Sequence, residues 1–335
     1  MALNVVWLQS GGCGGCSMSL LCADTPDLAA LLQGNGINLL WHPALSLPGQ
    51  HDTIQLLRDC LNGRIRLDAL CIEGALLRGP KGSGRFHLLA GTGEPMIHWV
   101  TRLAQVAQRV LAIGSCAAWG GVTATGDNLS EACGLQYEDE CKGGLLGADF
   151  VARSGLPVVN VAGCPTHPDW VIDTLTLLAA DSLAATDLDD LARPRFYADQ
   201  LVHHACPRNE YYEYKASAAQ PTDLGCLMEN LGCKGTQAHA DCNIRLWNGE
   251  GSCLRGGYAC INCTAPGFQN PDHPFQVTRK LAGIPVGLPS DMPKAWFVAL
   301  ASLSKSATPR RVKINAHSDH VQVPPVIRSK VPRQP

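Results

Sequence analysis

The sequence predicts an α/β protein: a doubly wound, mostly parallel sheet, then a second, irregular domain. Three observations predict it. Short apolar runs alternate with helical patterns through the first half, the βαβα rhythm of a parallel sheet. Three of those runs lead straight into loops of glycine and cysteine, at the strand ends where open α/β sheets place their sites. Beyond about residue 185 the rhythm stops, long helices are hard to find, and cysteines become denser.

The first strand is Val5-Val6-Trp7-Leu8, a β-branched and aromatic run. It passes through Gln9-Ser10-Gly11-Gly12 into Cys13-Gly14-Gly15-Cys16, where glycines remove Cβ atoms at a tight turn. A helix is predicted from Ser17 to Gln33, a second strand over Ile37–Leu40, and a helix over Asp52–Leu61. The third strand, Leu67–Ile72, ends at Glu73-Gly74. Arg78–Gly93 carries Pro80 and several glycines and reads as loop, and Glu94–Gln108 as helix. The fourth strand, Val110–Ile113, runs into Gly114-Ser115-Cys116-Ala117-Ala118-Trp119-Gly120-Gly121. The fifth, Val158–Val161, runs into Gly163-Cys164-Pro165, and a helix follows to about Ala180, with Pro168 suited to its first turn.

Composition narrows the chemistry. The 335 residues are 46% hydrophobic and only 17% charged, which favours a large core and a lightly charged surface, as in one component of an assembly. A net charge of −2 gives no footprint for nucleic acid or an anionic membrane. No apolar run approaches the ~20 residues of a membrane span. Met1-Ala2-Leu3-Asn4 shows no basic or twin-arginine leader, so a cytoplasmic location is expected. Sixteen cysteines in such a setting favour metal binding over disulfides. No phosphate loop or dinucleotide fingerprint is present.

Cys13 and Cys16 alone admit a redox pair, a structural zinc site or an iron–sulfur cluster. The strand-end argument gathers Cys13, Cys16, Cys116 and Cys164 at one edge of the sheet. Four thiols make a four-ligand site, and a redox pair needs only two. The domain boundary is placed within Asp181–Arg195, giving a first domain over 1–185. The second domain, 186–307, carries His203-His204-Ala205-Cys206, Cys226 to Cys233, Cys242, Cys253, and Cys260-Ile261-Asn262-Cys263. It is too small and irregular for much core of its own, so bound metal is expected to contribute folding free energy. The tail 308–335 reads as extended until it meets a partner.

These residues together resemble the small subunit of nickel–iron hydrogenases. The likeness runs from the first strand to about Pro274. It rests on C-G-G-C after strand one, G-S-C-A-A-W-G-G, G-C-P, H-x-x-C, a C-x6-C ending in C-K-G, and C-x2-C followed by proline, in that order. The resemblance implies a flavodoxin-like first domain with Cys13, Cys16, Cys116 and Cys164 holding a proximal 4Fe–4S cluster. It implies a distal 4Fe–4S cluster on His203, Cys206, Cys226 and Cys233. The spacing H-x-x-C selects His203 over His204, and the Cys226–Cys233 gap is one residue longer than in the best-known members. Cys242, Cys260 and Cys263 match the ligands of the family's medial cluster. Most members carry proline where this chain has Cys253, so a fourth thiolate and a medial 4Fe–4S cluster of lowered potential are expected. Without Cys253 as ligand the medial cluster would be 3Fe–4S. Oxygen-tolerant relatives carry extra cysteines at positions matching Gly15 and Gly121, so an ordinary proximal cubane is expected here.

The same resemblance implies a large subunit that owns the nickel–iron centre, docked on the apolar face around strands one and four. The run W-L-Q-S-G-G-C-G-G-C-S-M-S-L-L-C-A looks like the cytoplasmic, hydrogen-sensing branch, whose enzymes report to a histidine kinase. Here the tail would be the contact. A soluble uptake hydrogenase is the alternative. A complex I-like subunit would have adjacent cysteines in its first motif and no second cluster domain, and a zinc scaffold would be colourless. Cys22, Cys60, Cys71, Cys133 and Cys141 match no ligand position and are expected as small packing residues. Glu73 fits either a proton-transfer or contact role, or a satisfied structural carboxylate. His167 and Trp170 read as packing over the proximal site. Lys234 reads as a partner of the distal cluster or a solvated lysine. Other histidines, His42 among them, receive no role.

Overall fold

The structure is a computed structural model that describes residues 2–24, 26–34, 36–270, 278, 280–282, 284–285 and 293–326. Five strands form the main sheet: β1 (Leu3–Gln9), β2 (Ile37–Trp41), β3 (Ala69–Glu73), β4 (Arg109–Ile113) and β5 (Val159–Val161). Their order is β2-β1-β3-β4-β5 and every pairing is parallel. This is the flavodoxin-like order, with its switch point between β1 and β3. Gln9 pairs with Glu73, Glu73 with Ile113, and Ile113 with Val161. Four strands therefore stop side by side, and the loops that follow them share one edge.

Both faces of the sheet are buried, as parallel sheets require. Val6, Leu8, Leu70, Ile72, Val110 and Ala112 pack beneath α3 (Gln50–Leu61), α4 (Met96–Val106) and α5 (Ser115–Trp119). On the other face Val5, Trp7, Cys71, Leu111, Ile113 and Val161 meet α6 (Pro168–Ala179). Val202, Ala218, Leu227, Ala238, Ala240 and Leu254 of the second domain belong to that same core. Tyr197, fully buried, stacks on Trp170 at 4.2 Å, and its hydroxyl donates to Asn160 O and accepts from Ala162 N. Among the described residues the irregular domain has no separate core: it uses the outer face of the sheet and α6.

Three expectations are corrected. The helix read over Ser17–Gln33 is two helices, α1 (Gly15–Leu20) and α2 (Leu28–Gly34). Pro26 interrupts it, and Asp27 caps α2 by accepting from Ala30 N at 2.7 Å. Cys60, Cys71 and Cys133 are buried, but Cys22 and Cys141 are exposed, one in the turn after α1 and the other in a two-residue hairpin strand.

The third correction concerns the tail. Short helices α7 (Asn209–Glu213) and α8 (Met228–Leu231) are followed by α9 (Lys294–Ala307) and α10 (Arg310–Asn315). The expected extended tail is folded over α10: Val312 and Ala316 are buried, and Asn315 accepts from Gln322 N and Val323 N. Gly225 N donates to Ala316 O and Leu224 N to Ser318 O, so this segment closes over the loop before Cys226. Arg311 forks onto Glu210 of α7. One short helix with two apolar residues carries too weak a period to be read from sequence; burial by a distant loop makes it. Residues 327–335 of the expected tail lie outside the described residues. Val312→Ala should destabilise the protein by about 2 kcal/mol, the transfer and cavity cost of its lost methyl groups. Denaturant unfolding of the purified protein checks this.

Candidate metal centres

The first centre lies where β1, β3, β4 and β5 end. Cys13 sits between β1 and α1, Cys16 lies in the first turn of α1, Cys116 in the first turn of α5, and Cys164 follows β5. Glu73, buried at the end of β3, organises the first loop. Its Oε1 accepts from Cys16 N and Ser17 N, each at 3.0 Å. Its Oε2 accepts from Trp7 Nε1 and Gln9 Nε2, each at 3.1 Å, and from the Ser17 hydroxyl. Five donors leave it no free lone pair for a proton relay, so of the two roles open in the sequence the structural one holds. The Ser17 hydroxyl also meets Nε2 of His42, buried against Trp7, a support that the sequence did not reveal.

The loops fit only because of glycine at two points. Gly74 has φ of +87°, and a Cβ there would lie 2.9 Å from the carbonyl carbon of Gly11. Gly114 has φ of +82°, and a Cβ there would lie 2.5 Å from Cys16 Sγ. Positions 15 and 121 also border this centre: a Cβ on either would be 3.0 Å from Cys13 Sγ or Cys116 Sγ respectively. Burial pushes the Cys164 thiol up to about 12 and raises Cys16 and Cys116 in the same direction, and neighbouring thiols add to each shift. Thiols gathered this way ionise together only around a cation.

The second centre is a cavity of about 390 Å³. Cys242, Cys253, Cys260 and Cys263 all line it, with Trp170, Trp247 and Leu254 among the apolar walls. Cys253 is held beside Cys242 through their neighbours: Ser252 Oγ donates to Asn243 Oδ1 at 2.6 Å, and Asn243 Nδ2 donates to Val202 O at 2.6 Å. Burial raises all four thiols, Cys263 to about 11. The third centre is a smaller cavity lined by His203, Cys206, Cys226 and Cys233. His203 meets the Tyr212 ring edge-on at 4.4 Å, and burial lowers the affinity of its imidazole for a proton, which favours the neutral form that binds metals. The His204 ring turns back to cap its own helical turn, accepting from Leu201 N at 3.2 Å. The backbone N–H groups of Gly235 and Arg208 donate to Cys233 Sγ and Cys206 Sγ at 3.4 Å, the amide-to-sulfur pattern of cluster sites. Thiols spaced round voids, with amides aimed at sulfur, fit polynuclear iron–sulfur groups. Among the described residues no three His, Cys, Asp or Glu side chains converge as ligands of one ion.

The centres are joined. Ser115 Oγ accepts from Gly163 N at 2.9 Å and donates to Cys263 O, tying the first centre to the second. Cys164 lies in the wall of the second cavity. Lys234 N donates to Cys260 O at 2.7 Å, and Leu254 lines both the second and third cavities. Lys234 draws attention in the sequence for its charge, yet this link is made by its backbone. His167 and Trp170, expected over the first centre, pack instead beside the second: Trp170 and Trp247 line that cavity, His167 caps α6 and lies between them, and Trp170 Nε1 donates to Asp241 at 2.7 Å.

Fold and sites together define an iron–sulfur electron carrier. A family profile described as "NADH ubiquinone oxidoreductase, 20 Kd subunit" matches residues 13–178, and the profile of the C-terminal part of the NiFe/NiFeSe hydrogenase small subunit matches residues 198–276. The chain is 34% identical to the F420 non-reducing hydrogenase II small subunit of Methanosarcina mazei, over 84% of this chain and 77% of that one. It is 31% identical to the periplasmic [NiFeSe] hydrogenase small subunit of Desulfomicrobium baculatum, over 82% and 86%. The actinobacterial-type NiFe-hydrogenase structure from Ralstonia eutropha H16 superposes with a TM-score of 0.74 at 28% identity, covering 92% of each chain. The chain belongs to the small subunits of nickel–iron hydrogenases, the electron-transfer subunits of oxidoreductases acting on H2. Gly114→Ala should displace Cys16 and empty the first centre alone. Iron and sulfide content should fall by one cluster's worth while the paramagnetic signals of the other centres persist.

Proposed function

We propose that this chain relays electrons through three 4Fe–4S clusters, away from a nickel–iron centre held by a hydrogenase large subunit. The clusters supply one-electron carriers at fixed sites. The chain's own residues space them, bury them and join them. One observation carries the reading: the three donor sets form an unbroken line, through Ser115 and Cys164 from first to second, and through Lys234 and Leu254 from second to third. The ligand sets are Cys13, Cys16, Cys116 and Cys164; then Cys242, Cys253, Cys260 and Cys263; then His203, Cys206, Cys226 and Cys233.

The large subunit docks at the edge of the first centre. The strand faces themselves are covered by helices, so the contact is assigned to the loops and helices after β1 and β4. Met18, Leu21 and Val122 expose 68%, 57% and 56% of their surface there, apolar area that suits a partner. Cys253 as fourth medial ligand is supported by its place in the cavity wall. Cys253→Pro should convert the medial cluster to 3Fe–4S, seen as a new paramagnetic signal in oxidised protein. A well-folded variant without that signal would remove Cys253 from the ligand set.

We further propose a cytoplasmic hydrogen-sensing role with control of a histidine kinase, supported by the likeness of the first motif to that branch. Because α10 is built into the second domain, the kinase contact is assigned to residues beyond Val326. Deleting 327–335 should spare hydrogen oxidation with an artificial dye and abolish kinase control. Unchanged kinase control would move the contact away from 327–335, and a parent heterodimer without kinase control would favour the uptake reading.

A further inference from the structure

The third centre contains a charge that its ligand set does not account for. Arg208, 7% exposed, lines the cavity with His203, Cys206, Cys226 and Cys233. Its Nη1 donates to Asp223 O and to Gly225 O at 2.6 Å, and its Nε to Leu254 O at 3.4 Å. All three acceptors are neutral carbonyls. The Asp223 carboxylate is spent on Ala219 N and Gln220 N. Among the described residues no carboxylate pairs with Arg208, and the acidic groups that face it are the thiols of Cys206, Cys226 and Cys233 and the Tyr211 phenol. A guanidinium does not shed its proton, and burying it without a counter-charge is strongly unfavourable. The phenol is neutral at ordinary pH. Only thiolate ligands can balance it.

We propose that Arg208 is the fixed counter-charge of the distal cluster and holds that cluster's reduction potential up. The proposal rests on the reading that His203, Cys206, Cys226 and Cys233 carry a 4Fe–4S cluster. Reduction adds one negative charge to a group already bound by three thiolates. A permanent cation against those sulfurs stabilises the reduced form more than the oxidised one, and net charge and hydrogen bonds to sulfur set cluster potentials. The outermost centre thereby becomes the place where electrons collect. A second cation, Lys215, approaches from the histidine side. Its ammonium lies 3.7 Å above the Tyr212 ring, which packs on His203, and it faces Cys226 as well as Glu213 and Glu229. Arg208 is the buried cation that lines the cavity itself, and it faces all three cysteines without a carboxylate to offset it. Its fork also joins the chain after Cys206 to the loops before Cys226 and after Cys253, so it positions ligands of two centres.

The test is a potentiometric titration of the purified heterodimer followed by low-temperature paramagnetic resonance. Arg208→Gln keeps donors and removes the charge; Arg208→Lys keeps the charge and removes the fork. Arg208→Gln should lower the reduced-to-oxidised ratio of the distal cluster at fixed potential by about tenfold, about 59 mV for a one-electron couple. The proximal cluster should titrate as in the parent, and Arg208→Lys should restore most of the distal shift. A distal cluster in Arg208→Gln that titrates as in the parent overturns the proposal. If Arg208→Gln assembles without the distal cluster, retention in Arg208→Lys supports the charge role. Loss in both, with the other clusters intact, overturns it in favour of the fork's shape. A parent heterodimer with no distal signal overturns the ligand reading itself, an outcome distinct from an unchanged potential.

Discussion

Four parallel strands that stop in register create one crowded edge, and the rest of the molecule is arranged around that crowding. Three of the loops leaving the edge must bring thiols together while a fourth, after β3, passes between them. The backbone achieves this only with glycine at 74 and 114, where a methyl group would strike the Gly11 backbone or the Cys16 sulfur. Glu73 occupies the middle of the same edge as a buried carboxylate. Its desolvation is tolerable because five donors, from β1 and the first turn of α1, converge on it. The shape of the first thiol loop is therefore set by a residue 57 positions from Cys16.

The second domain depends on the first for its core. Val202, Leu227, Ala240 and Leu254 pack into the apolar layer that also holds Trp7, Ile113 and Trp170. Trp170 stacks on Tyr197 and donates to Asp241, so α6 supports the segment that carries Cys242. Ser115 extends this coupling to the sites themselves, since one hydroxyl serves both the β5 loop and the Cys263 carbonyl. The distances between centres are thus determined by packing that neither domain makes alone. The closing segment around α10 covers the loop before Cys226 in the same way, from the far end of the chain.

Electrostatics follow from this burial. Thiols removed from water favour protonation, so each cavity, without metal, is poised to hold neutral sulfur. Bound iron reverses that preference and converts the cost of burial into a requirement for the metal. Amides aimed at sulfur and the buried guanidinium of Arg208 then fit the anionic group that results.

The strands along the chain and the first set of cysteines were legible in the sequence because both depend on local signals, while the strand order and the ligand sets of the second domain came from the family resemblance. Apolar periodicity marks β1 to β5, and C-x-x-C, H-x-x-C and G-C-P place donors at fixed offsets from strand or turn ends. The spacing H-x-x-C also separated His203 from His204, and the structure places the first in the cavity and turns the second into a helical cap. Local signals failed where a distant partner decides the outcome. α10 forms because a loop far earlier in the chain buries it, whereas the division of the first helix at Pro26 and Asp27 is a local signal that the apolar pattern masked. Asn243 and Arg208 carried no motif, and the motif that contains Ser115 did not show its role, since each acts by reaching across the fold, in one case over 148 positions. By itself the sequence determined which atoms are available to bind iron, because that is a property of residue type and near-neighbour spacing. The tertiary structure alone decided how the three sets are joined and what charge surrounds them, because those contacts exist only when the chain has closed on itself.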